Sequence, residues 1–250
     1  MTALSIIPIS FRDEILPGDS LPDKLLRALK QSRLRLKRGD ILVVKHKIVS
    51  KAEGQLINLD TIKPSPASRA WARCYQLDAR VTELALQQSV RIVRRKRGVL
   101  ITETAHGLVC ANSGVDVSNV NGGRHALLLP ADPDLSALEL HRALKKRLKL
   151  SIPVLITDTF GRPWRDGLAE VAIGIAGMKA IHDDRGRRDP SGYVLRVSLE
   201  AIADELACAA GLVCGKLSRT PACIIRGFPY RPARGSAREL LRPAASDLFR

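Results

Sequence analysis

Aromatic residues are scarce in this chain: Phe, Trp and Tyr account for 4% of its 250 residues. A core of ordinary size must therefore consist mainly of Leu, Ile, Val and Ala. The sequence also lacks any apolar run near the roughly 18 residues of a membrane helix. Residues 1–10 lack the basic start and long apolar stretch of a signal peptide. We expect a globular, cytoplasmic protein with no membrane partner.

The sequence also lacks cysteines at the spacing of a disulfide framework or a zinc site. The chain has five cysteines, an odd number, and no C-x-x-C motif. These two facts argue against a disulfide framework and against a zinc ribbon. We therefore expect reduced and mostly buried thiols. The cysteines are Cys74, Cys110, Cys208, Cys214 and Cys223.

Acidic residues are outnumbered. The 25 Asp and Glu residues face 41 Lys and Arg residues, which gives a formal net charge of +16. Such an excess of positive charge attracts anionic partners, but it does not separate nucleic acid from a nucleotide, a phosphorylated cofactor or an acidic amino acid. Because aromatic residues are few and no known nucleic-acid-binding module is present, nucleic-acid binding stays a remote alternative.

Apolar periodicity predicts a mixed α+β chain rather than the strict alternation of a doubly wound sheet. We predict strands at residues 4–9, 41–45, 98–102, 125–130, 154–157 and 222–225. We predict helices at residues 21–36, 78–93, 135–148 and 199–213. No repeat or linker divides the chain, so residues 1–250 are treated as one unit, with a basic tail at residues 230–250 that wraps a surface rather than folding alone.

Three polar segments directly follow apolar strands, where α/β and α+β proteins tend to place their sites. The first covers residues 43–54. Lys51 is suited to place a point charge beside a phosphate, and Ser50 is suited to donate a hydrogen bond. The alternative is an amphipathic surface helix that carries exposed lysines.

The second segment covers residues 101–120 and contains acids, asparagines and glycines. Asp116 is a candidate ligand for Mg²⁺ or Mn²⁺, since hard cations take oxygen ligands. Asn119 is a candidate contact to a nucleotide. The alternative is an ordinary loop in which Asp and Asn stabilise turns.

The third segment covers residues 156–167. Asp158 and Thr159, at a strand end, offer oxygens of the kind that Mg²⁺ accepts alongside phosphates. Arg162 and Arg165 are candidates for holding anionic oxygens or offsetting transition-state charge. The alternative is a structural cluster in which Trp164 stacks between the two arginines.

Two further patterns resemble motifs but fail on spacing. Residues 211–216 look like a fragment of a Walker A loop, but the glycine spacing is one residue short and Leu217 stands where Ser or Thr is required. His182, Asp183 and Asp184 are potential metal ligands without a recognised ligand spacing. Neither pattern supports a site by itself.

Taken in order along the chain, the polar segments resemble the coenzyme F-420-0:L-glutamate ligase (gamma-glutamyl ligase) family. The resemblance rests on VSKAEG (49–54), ETAHG (103–107), CANSGVD (110–116) with SNV (118–120), and DTFGRPWR (158–165). Weaker matches lie at residues 78–80, 184–186, 203–207 and 225–227. The matches span most of the chain.

The resemblance implies a GTP-dependent amide ligase with a two-lobed α+β fold of mixed sheets, acting as a homodimer. A carboxylate of coenzyme F-420-0 would be phosphorylated by GTP, and the amine of L-glutamate would then displace phosphate. Carried over by motif, the metal ligands are Asp116, Asp158 and Thr159, for Mg²⁺ or Mn²⁺ with K⁺ as a further candidate ion. The implied GTP contacts are Ser50, Lys51, Asn119, Gly215 and Lys216.

Some positions depart from the family pattern. His46 and Lys47 replace a smaller polar pair, and Asp183 stands where the family often has tyrosine. Arg219 lies where an acidic or neutral residue is expected beside a metal, and its charge would repel a second ion. These departures leave open a paralogous GTP-dependent ligase with another carboxylate acceptor.

Overall fold

The computed structural model describes residues 3–118, 121–215 and 217–247 of a mixed α+β protein. Its strands are β1 (Ser5–Ile9), β2 (Ile41–Lys45), β3 (Leu56–Asn58), β4 (Ser89–Lys96), β5 (Val99–Thr104), β6 (Val109–Ala111), β7 (His125–Leu127), β8 (Val154–Arg162), β9 (Arg165–Ala176), β10 (His182–Asp183), β11 (Leu199–Glu200) and β12 (Ala222–Arg226). Its α-helices are α1 (Leu21–Gln31), α2 (His46–Ala52), α3 (Pro66–Tyr75), α4 (Ala79–Gln87), α5 (Pro133–Leu148) and α6 (Ile202–Gly211).

A five-stranded mixed sheet forms the centre, in the order β1-β12-β2-β8-β9. Strands β2 and β8 are parallel, and the other neighbouring pairs are antiparallel. Strand β2 is buried on both faces because its first four residues are the continuous apolar run Ile-Leu-Val-Val. The predicted α+β class and mixed sheet are confirmed.

Apolar side chains pack on both faces of the central sheet. Alternate residues of β2 show the division: Leu42 and Val44 belong to one cluster, whereas Ile41 and Val43 belong to another. Helices α1 and α5 complete the first cluster, and α6 completes the second. The two clusters together hold the five strands in place through burial of apolar surface.

The carboxyl ends of β2 and β8 meet at one edge of the sheet, since the two strands are parallel and Lys45 is paired with Thr157. Helix α2 begins directly after Lys45. Strand β8 continues past Thr157 and forms a long hairpin with β9, in which Thr159 is paired with Glu170. Polar side chains from three elements are therefore brought to this edge.

Smaller sheets cover the remainder of the fold. Strands β4, β5 and β6 form a three-stranded sheet, while β3 pairs with β7 and β10 pairs with β11. A small apolar cluster beside β3 and β7 contains Leu59, Leu84, Ala126 and Leu128. After β6 the chain turns at Asn112–Gly114 and reaches Asp116, which bridges to Leu127 of β7.

Three predicted helices differ from the structure. Helix α1 ends at Gln31, five residues early, because Arg33 adopts a left-handed backbone with φ of 54°. The helix predicted at residues 78–93 ends at Gln87, and residues 89–96 instead form β4, which pairs with β5. The helix predicted from Leu199 starts at Ile202, because Leu199 and Glu200 pair with β10.

The tail predicted at residues 230–250 lies across the surface over its described part, to residue 247. Asp134 of α5 holds it, accepting hydrogen bonds from the hydroxyl of Ser236 and the amide of Ala237, at 2.5 and 2.9 Å. The side chain of Ala237 is buried against the sheet cluster that α6 completes. Among the described helices, all are too short or too polar to cross a membrane.

Candidate active site at the ends of two parallel strands

Three consecutive basic residues at the junction of β2 and α2, which we call the basic triplet, contact three different carboxylates. The triplet is Lys45, His46 and Lys47. Its partners come from β9, from β8 and from the segment after β6. The pairs are Lys45 with Glu170, His46 with Asp158, and Lys47 with Asp116. This arrangement concentrates acidic oxygens and balancing cations at one sheet edge.

The first pair is the most enclosed of those that involve a lysine. The ammonium of Lys45 contacts Oε1 of Glu170, and the two side chains are 18% and 10% exposed. The same Oε1 accepts a hydrogen bond from the hydroxyl of Thr159 at 2.8 Å. The other oxygen, Oε2, is buried and has no hydrogen-bond partner among the described residues. Glu170 therefore joins β2, β8 and β9 through one carboxylate oxygen.

The second pair fixes a histidine between two oxygens. His46 Nε2 lies 3.2 Å from Oδ1 of Asp158, and His46 Nδ1 lies 3.3 Å from the hydroxyl of Ser50. Oδ1 also accepts the backbone amide of Thr159 at 2.7 Å. Within the described chain, no hydrogen bond reaches the second oxygen of Asp158, Oδ2, which leaves that atom able to bind a cation.

The third pair anchors the segment after β6. Lys47 Nζ lies 2.6 Å from Oδ2 of Asp116 and donates to the hydroxyl of Ser118 at 2.8 Å. The backbone amide of Ser118 donates to Oδ1 of Asp116 at 2.6 Å. Burial alone would raise the pKa of Asp116, but the hydrogen bonds from Lys47 and Ser118 outweigh it and lower that pKa. Asp116 is therefore ionised at neutral pH.

Cys110 links this segment to β8. Burial, together with the nearby charge of Asp158, raises the pKa of Cys110 to about 12. A thiol with that pKa stays protonated at neutral pH and is not a nucleophile. Cys110 accordingly serves as a small buried residue of β6 near Asp158.

The predicted metal ligands have the chemistry that a divalent hard cation requires. Asp116, Asp158 and Thr159 offer carboxylate and hydroxyl oxygens, and Mg²⁺ and Mn²⁺ accept such ligands. Asp158 Oδ2 is open to a ligand, whereas both oxygens of Asp116 are hydrogen-bonded. A cation bound at Asp116 would thus compete with the ammonium of Lys47. The oxygen ligands therefore suit a divalent cation, although binding at Asp116 requires displacement of Lys47.

The predicted GTP contacts occupy different positions around this edge. The ammonium of Lys51 lies 3.1 Å from Oε1 of Glu14, and Gly215 is exposed beyond the end of α6. Ser50 is fully buried, and its hydroxyl faces His46 rather than solvent. Asn119 and Lys216 lie outside the described residues. The roles of all five stay predictions.

Arg162 and Arg165 lie at the tip of the β8–β9 hairpin, where they pair with each other. Arg162 donates to the backbone carbonyl of Asp166 at 2.9 Å. Thr159 and Arg162 are three positions apart, which corresponds to about 10 Å of extended strand. The two arginines are exposed, and they lie farther along the hairpin than the residues that contact the basic triplet.

Sequence inspection missed Glu170, and within the polar segment of residues 43–54 it did not single out Lys45. Glu170 lies in β9 directly before an apolar run, so it forms part of no polar motif. A lone Glu shortly before the apolar run of residues 171–176 was the available signal, because a charge that enters a buried strand needs a partner. Its partners became visible only through the pairing of the strands.

A second group of potential ligands lies away from this edge. His182, Asp184 and Glu200 each bring one ligand atom within 4.8 Å of the others. Strand pairing between His182 and Glu200 creates the group, which their distance in sequence concealed. Asp184 already contacts both His182 and Arg187. Asp184 is therefore engaged by neighbouring side chains, and the group carries no metal assignment here.

Comparison with known proteins identifies the family. The chain matches the family described as "F420-0:Gamma-glutamyl ligase" over residues 11–227. It is 41% identical over 255 residues to the "Coenzyme F420:L-glutamate ligase" of Methanopyrus kandleri, covering 100% of this chain and 99% of that protein. Relatives with the same description include those of Methanothermobacter thermautotrophicus, 42% identical over 250 residues with 99% of each chain covered, and Methanocaldococcus jannaschii, 39% identical over 213 residues with 85% of each covered. The carboxylates held by the basic triplet thus lie in a chain that belongs to the F420-0:gamma-glutamyl ligase family.

Proposed function

We propose that the protein is a GTP-dependent ligase that joins L-glutamate to coenzyme F-420-0. Family membership and the names of the relatives support the ligase activity and its two organic substrates. The observation that carries the site assignment is the convergence of Asp116 with Asp158 and Thr159 at one sheet edge, although more than 40 residues separate them in sequence.

The proposed reaction has two steps. An oxygen of the F-420-0 carboxylate attacks the γ-phosphorus of GTP, which forms an acyl phosphate and releases GDP. The amine of L-glutamate then attacks the acyl carbon, phosphate leaves, and an amide forms after the amine loses a proton. A further glutamate would be added by the same two steps: the γ-carboxylate of the first glutamyl residue is phosphorylated, and the amine of the second glutamate displaces the phosphate. Phosphorylation is required because a carboxylate ion is a poor electrophile.

The protein supplies mainly position and charge, as is usual for phosphoryl transfer. Asp116, Asp158 and Thr159 would hold Mg²⁺ or Mn²⁺. When bound, such an ion neutralises phosphate charge. The exposed side of Lys47 and the ammonium of Lys51 would face the remaining phosphate oxygens, because both lysines extend from α2 at this edge.

The other predicted contacts complete the proposal. Asn119, Gly215 and Lys216 would bind the nucleotide, and Ser50 would hold His46 in place for it. Arg162 and Arg165 would hold anionic oxygens of the acceptor or of glutamate, since they lie at the tip of the hairpin whose first strand carries Asp158. Their exposure at the hairpin tip suits a substrate that arrives from solvent.

We also propose that the protein is a cytoplasmic homodimer. The exposed apolar side chains on the small sheet of β4, β5 and β6 support a partner contact there. They are Val90, Ile92, Val99 and Val109. Exposed apolar surface often marks an interface. Measurement of molar mass by light scattering tests the stoichiometry.

A paralogous ligase with a different carboxylate acceptor is the second candidate. The exposed Arg219 favours it, since this residue adopts a left-handed backbone with φ of 51° in the loop that follows α6. Its carbonyl accepts the amide of Phe11 at 3.1 Å, which ties the loop to the start of the chain. A fixed cation there would alter the preferred anionic substrate.

The test measures GDP release from GTP with F-420-0 and L-glutamate each present or omitted. Mg²⁺, Mn²⁺ and K⁺ are varied, and mass spectrometry follows the coenzyme. We expect GDP release that requires the acceptor, and a mass gain of one or more glutamyl units. Asp116→Asn and Asp158→Asn should abolish both signals, whereas Asp13→Asn, which alters an exposed carboxylate paired with Arg27, should not.

Two results would contradict the proposal. GTP binding without any reaction would exclude F-420-0 as the acceptor and favour the paralogous ligase. Full activity of both Asn variants would show that the chemistry takes place elsewhere on the protein.

A further inference from the structure

We propose that Glu170 is a positioning residue, which orients the hydroxyl of Thr159 so that its oxygen points a lone pair at a divalent cation. This inference rests on the proposed function, because it concerns the same metal site. Glu170 itself is not assigned as a ligand. It acts through Thr159, in the way that residues behind a metal ligand commonly fix the ligand's orientation.

The geometry of the hydroxyl is the first support. A threonine hydroxyl carries one hydrogen and two lone pairs, and its hydrogen rotates to the best acceptor. Thr159 Oγ1 lies 2.8 Å from Glu170 Oε1. An ionised carboxylate only accepts hydrogen bonds, so Thr159 must be the donor. The lone pairs of Thr159 are then directed away from Glu170 and are available to a cation.

The setting of the carboxylate is the second support. Glu170 is buried, and its Oε2 has no hydrogen-bond partner within the described chain. Burial of an ionised carboxylate with one unsatisfied oxygen costs free energy. Lys45 offsets that cost by contacting Oε1, the oxygen that also accepts from Thr159. The arrangement keeps Oε1 of Glu170 beside Thr159 as an acceptor, while Oε2 is left without a hydrogen bond among the described residues.

The space around Glu170 is the third support. Gly211, at the end of α6, faces its side chain, and a Cβ at this position would lie 2.6 Å from Glu170 Cγ. Carbon atoms do not approach so closely, so any residue other than glycine forces Glu170 to move. Helix α6 therefore leaves room for the carboxylate in the conformation that reaches Thr159.

Glu170→Gln keeps the size of the side chain and changes its hydrogen bond to Thr159. The amide of Gln has one acceptor and one donor end. If the acceptor end stays beside Lys45, the NH₂ group can turn to Thr159 and donate to its oxygen, which occupies a lone pair that the cation needs. We expect Mn²⁺ affinity, measured by the electron paramagnetic resonance signal of free Mn²⁺ with and without GTP, to fall by about 10- to 100-fold.

A double-mutant cycle distinguishes this role from a general structural one. Thr159→Val removes the hydroxyl while keeping the shape of the side chain. If Glu170 acts through Thr159, adding Glu170→Gln to Thr159→Val causes no further loss of Mn²⁺ affinity. The matched control is Glu205→Gln, which removes an exposed carboxylate from the first turn of α6 and should bind Mn²⁺ like the wild type.

A further variant, Gly211→Ala, keeps every site group and displaces Glu170. It provides the test if Glu170→Gln does not fold. It should weaken Mn²⁺ binding in the same range. Unchanged affinity in a folded Glu170→Gln or Gly211→Ala variant, or losses that simply add in the double variant, would overturn the inference. A wild type that binds Mn²⁺ but does not ligate would refute the proposed function alone; one that binds no Mn²⁺ would overturn both.

Discussion

Replacing Lys45 by Met tests whether the basic triplet holds a buried charge that the fold cannot tolerate alone. The substitution keeps the length of the side chain and removes the cation from Glu170, whose side chain is 10% exposed. Removal of one partner of a buried ion pair typically costs about 3–5 kcal/mol. Because Lys45 is 18% exposed, we expect the lower end, about 3 kcal/mol in the free energy of unfolding.

Urea unfolding at neutral pH without nucleotide measures this loss. With a slope of about 2–3 kcal/mol per molar urea, the midpoint should fall by roughly 1 M. The double variant Lys45→Met with Glu170→Gln contains neither charge and should recover about 2 kcal/mol of the loss. The matched control is Lys24→Met, because Lys24 pairs with Asp19 at 3.0 Å nearer the surface, and it should cost less than about 1 kcal/mol.

Two outcomes would refute the reasoning. A loss below about 1 kcal/mol for Lys45→Met would mean that solvent or a rearranged side chain compensates Glu170. A double variant no more stable than Lys45→Met would show that the loss comes from packing of the lysine stem rather than from the uncompensated charge.

Two more predictions concern the stability of the fold. Gly174→Ala should destabilise the protein by about 2–3 kcal/mol in urea unfolding, because its Cβ would lie 2.2 Å from the backbone oxygen of Pro133, whereas Gly161→Ala, which meets open space, should change stability by less than about 0.5 kcal/mol. Hydrogen bonds from Ser65 lower the pKa of Glu83 from 4.5 to about 2, so this carboxylate stabilises the fold above pH 4.5 and the contribution is lost as the pH falls towards 2. Glu83→Gln should therefore flatten the stability profile over that pH range, by on the order of 1 kcal/mol after solvent screening; equal losses in both glycine variants, or an unchanged acid profile, would contradict these expectations.

The central strands were predictable because their local composition and their tertiary setting agree. The run Ile-Leu-Val-Val before Lys45 is apolar without interruption, as expected for a strand buried on both faces. The same holds for the start of β8, although the structure extends that strand to Arg162. The polar residues after these strands were predicted as site residues because they directly follow buried strands.

Strand β4 was predicted as the end of a helix because its pattern is ambiguous. Val90 and Val93 suit a helical period, and the intervening arginines are compatible with either structure. Pairing with β5 decides the outcome, and that contact depends on the turn at Arg97 and Gly98, both of which have positive φ. Local periodicity contains no information about such a partner.

The sequence motifs predicted residues of the candidate site, but they did not predict the contacts between those residues. Asp116 and Asp158 are conspicuous in sequence, and the structure places them beside consecutive residues of the basic triplet. Glu170 is not conspicuous, because its contact with Thr159 arises from the register that sets the two residues opposite each other. Register follows from the whole hairpin, so no short motif reveals it.

The position of β12 has a consequence for synthesis of the chain. This strand lies between β1 and β2, although it ends at Arg226, close to the carboxyl terminus. A ribosome that adds about 5–20 residues per second needs on the order of ten seconds or more to reach it. During that time β1 has no neighbour and β2 can pair on one side only, through β8. The nascent protein therefore presents open strand edges to the cell until β12 is synthesised, and a chaperone that shields such edges should improve its yield.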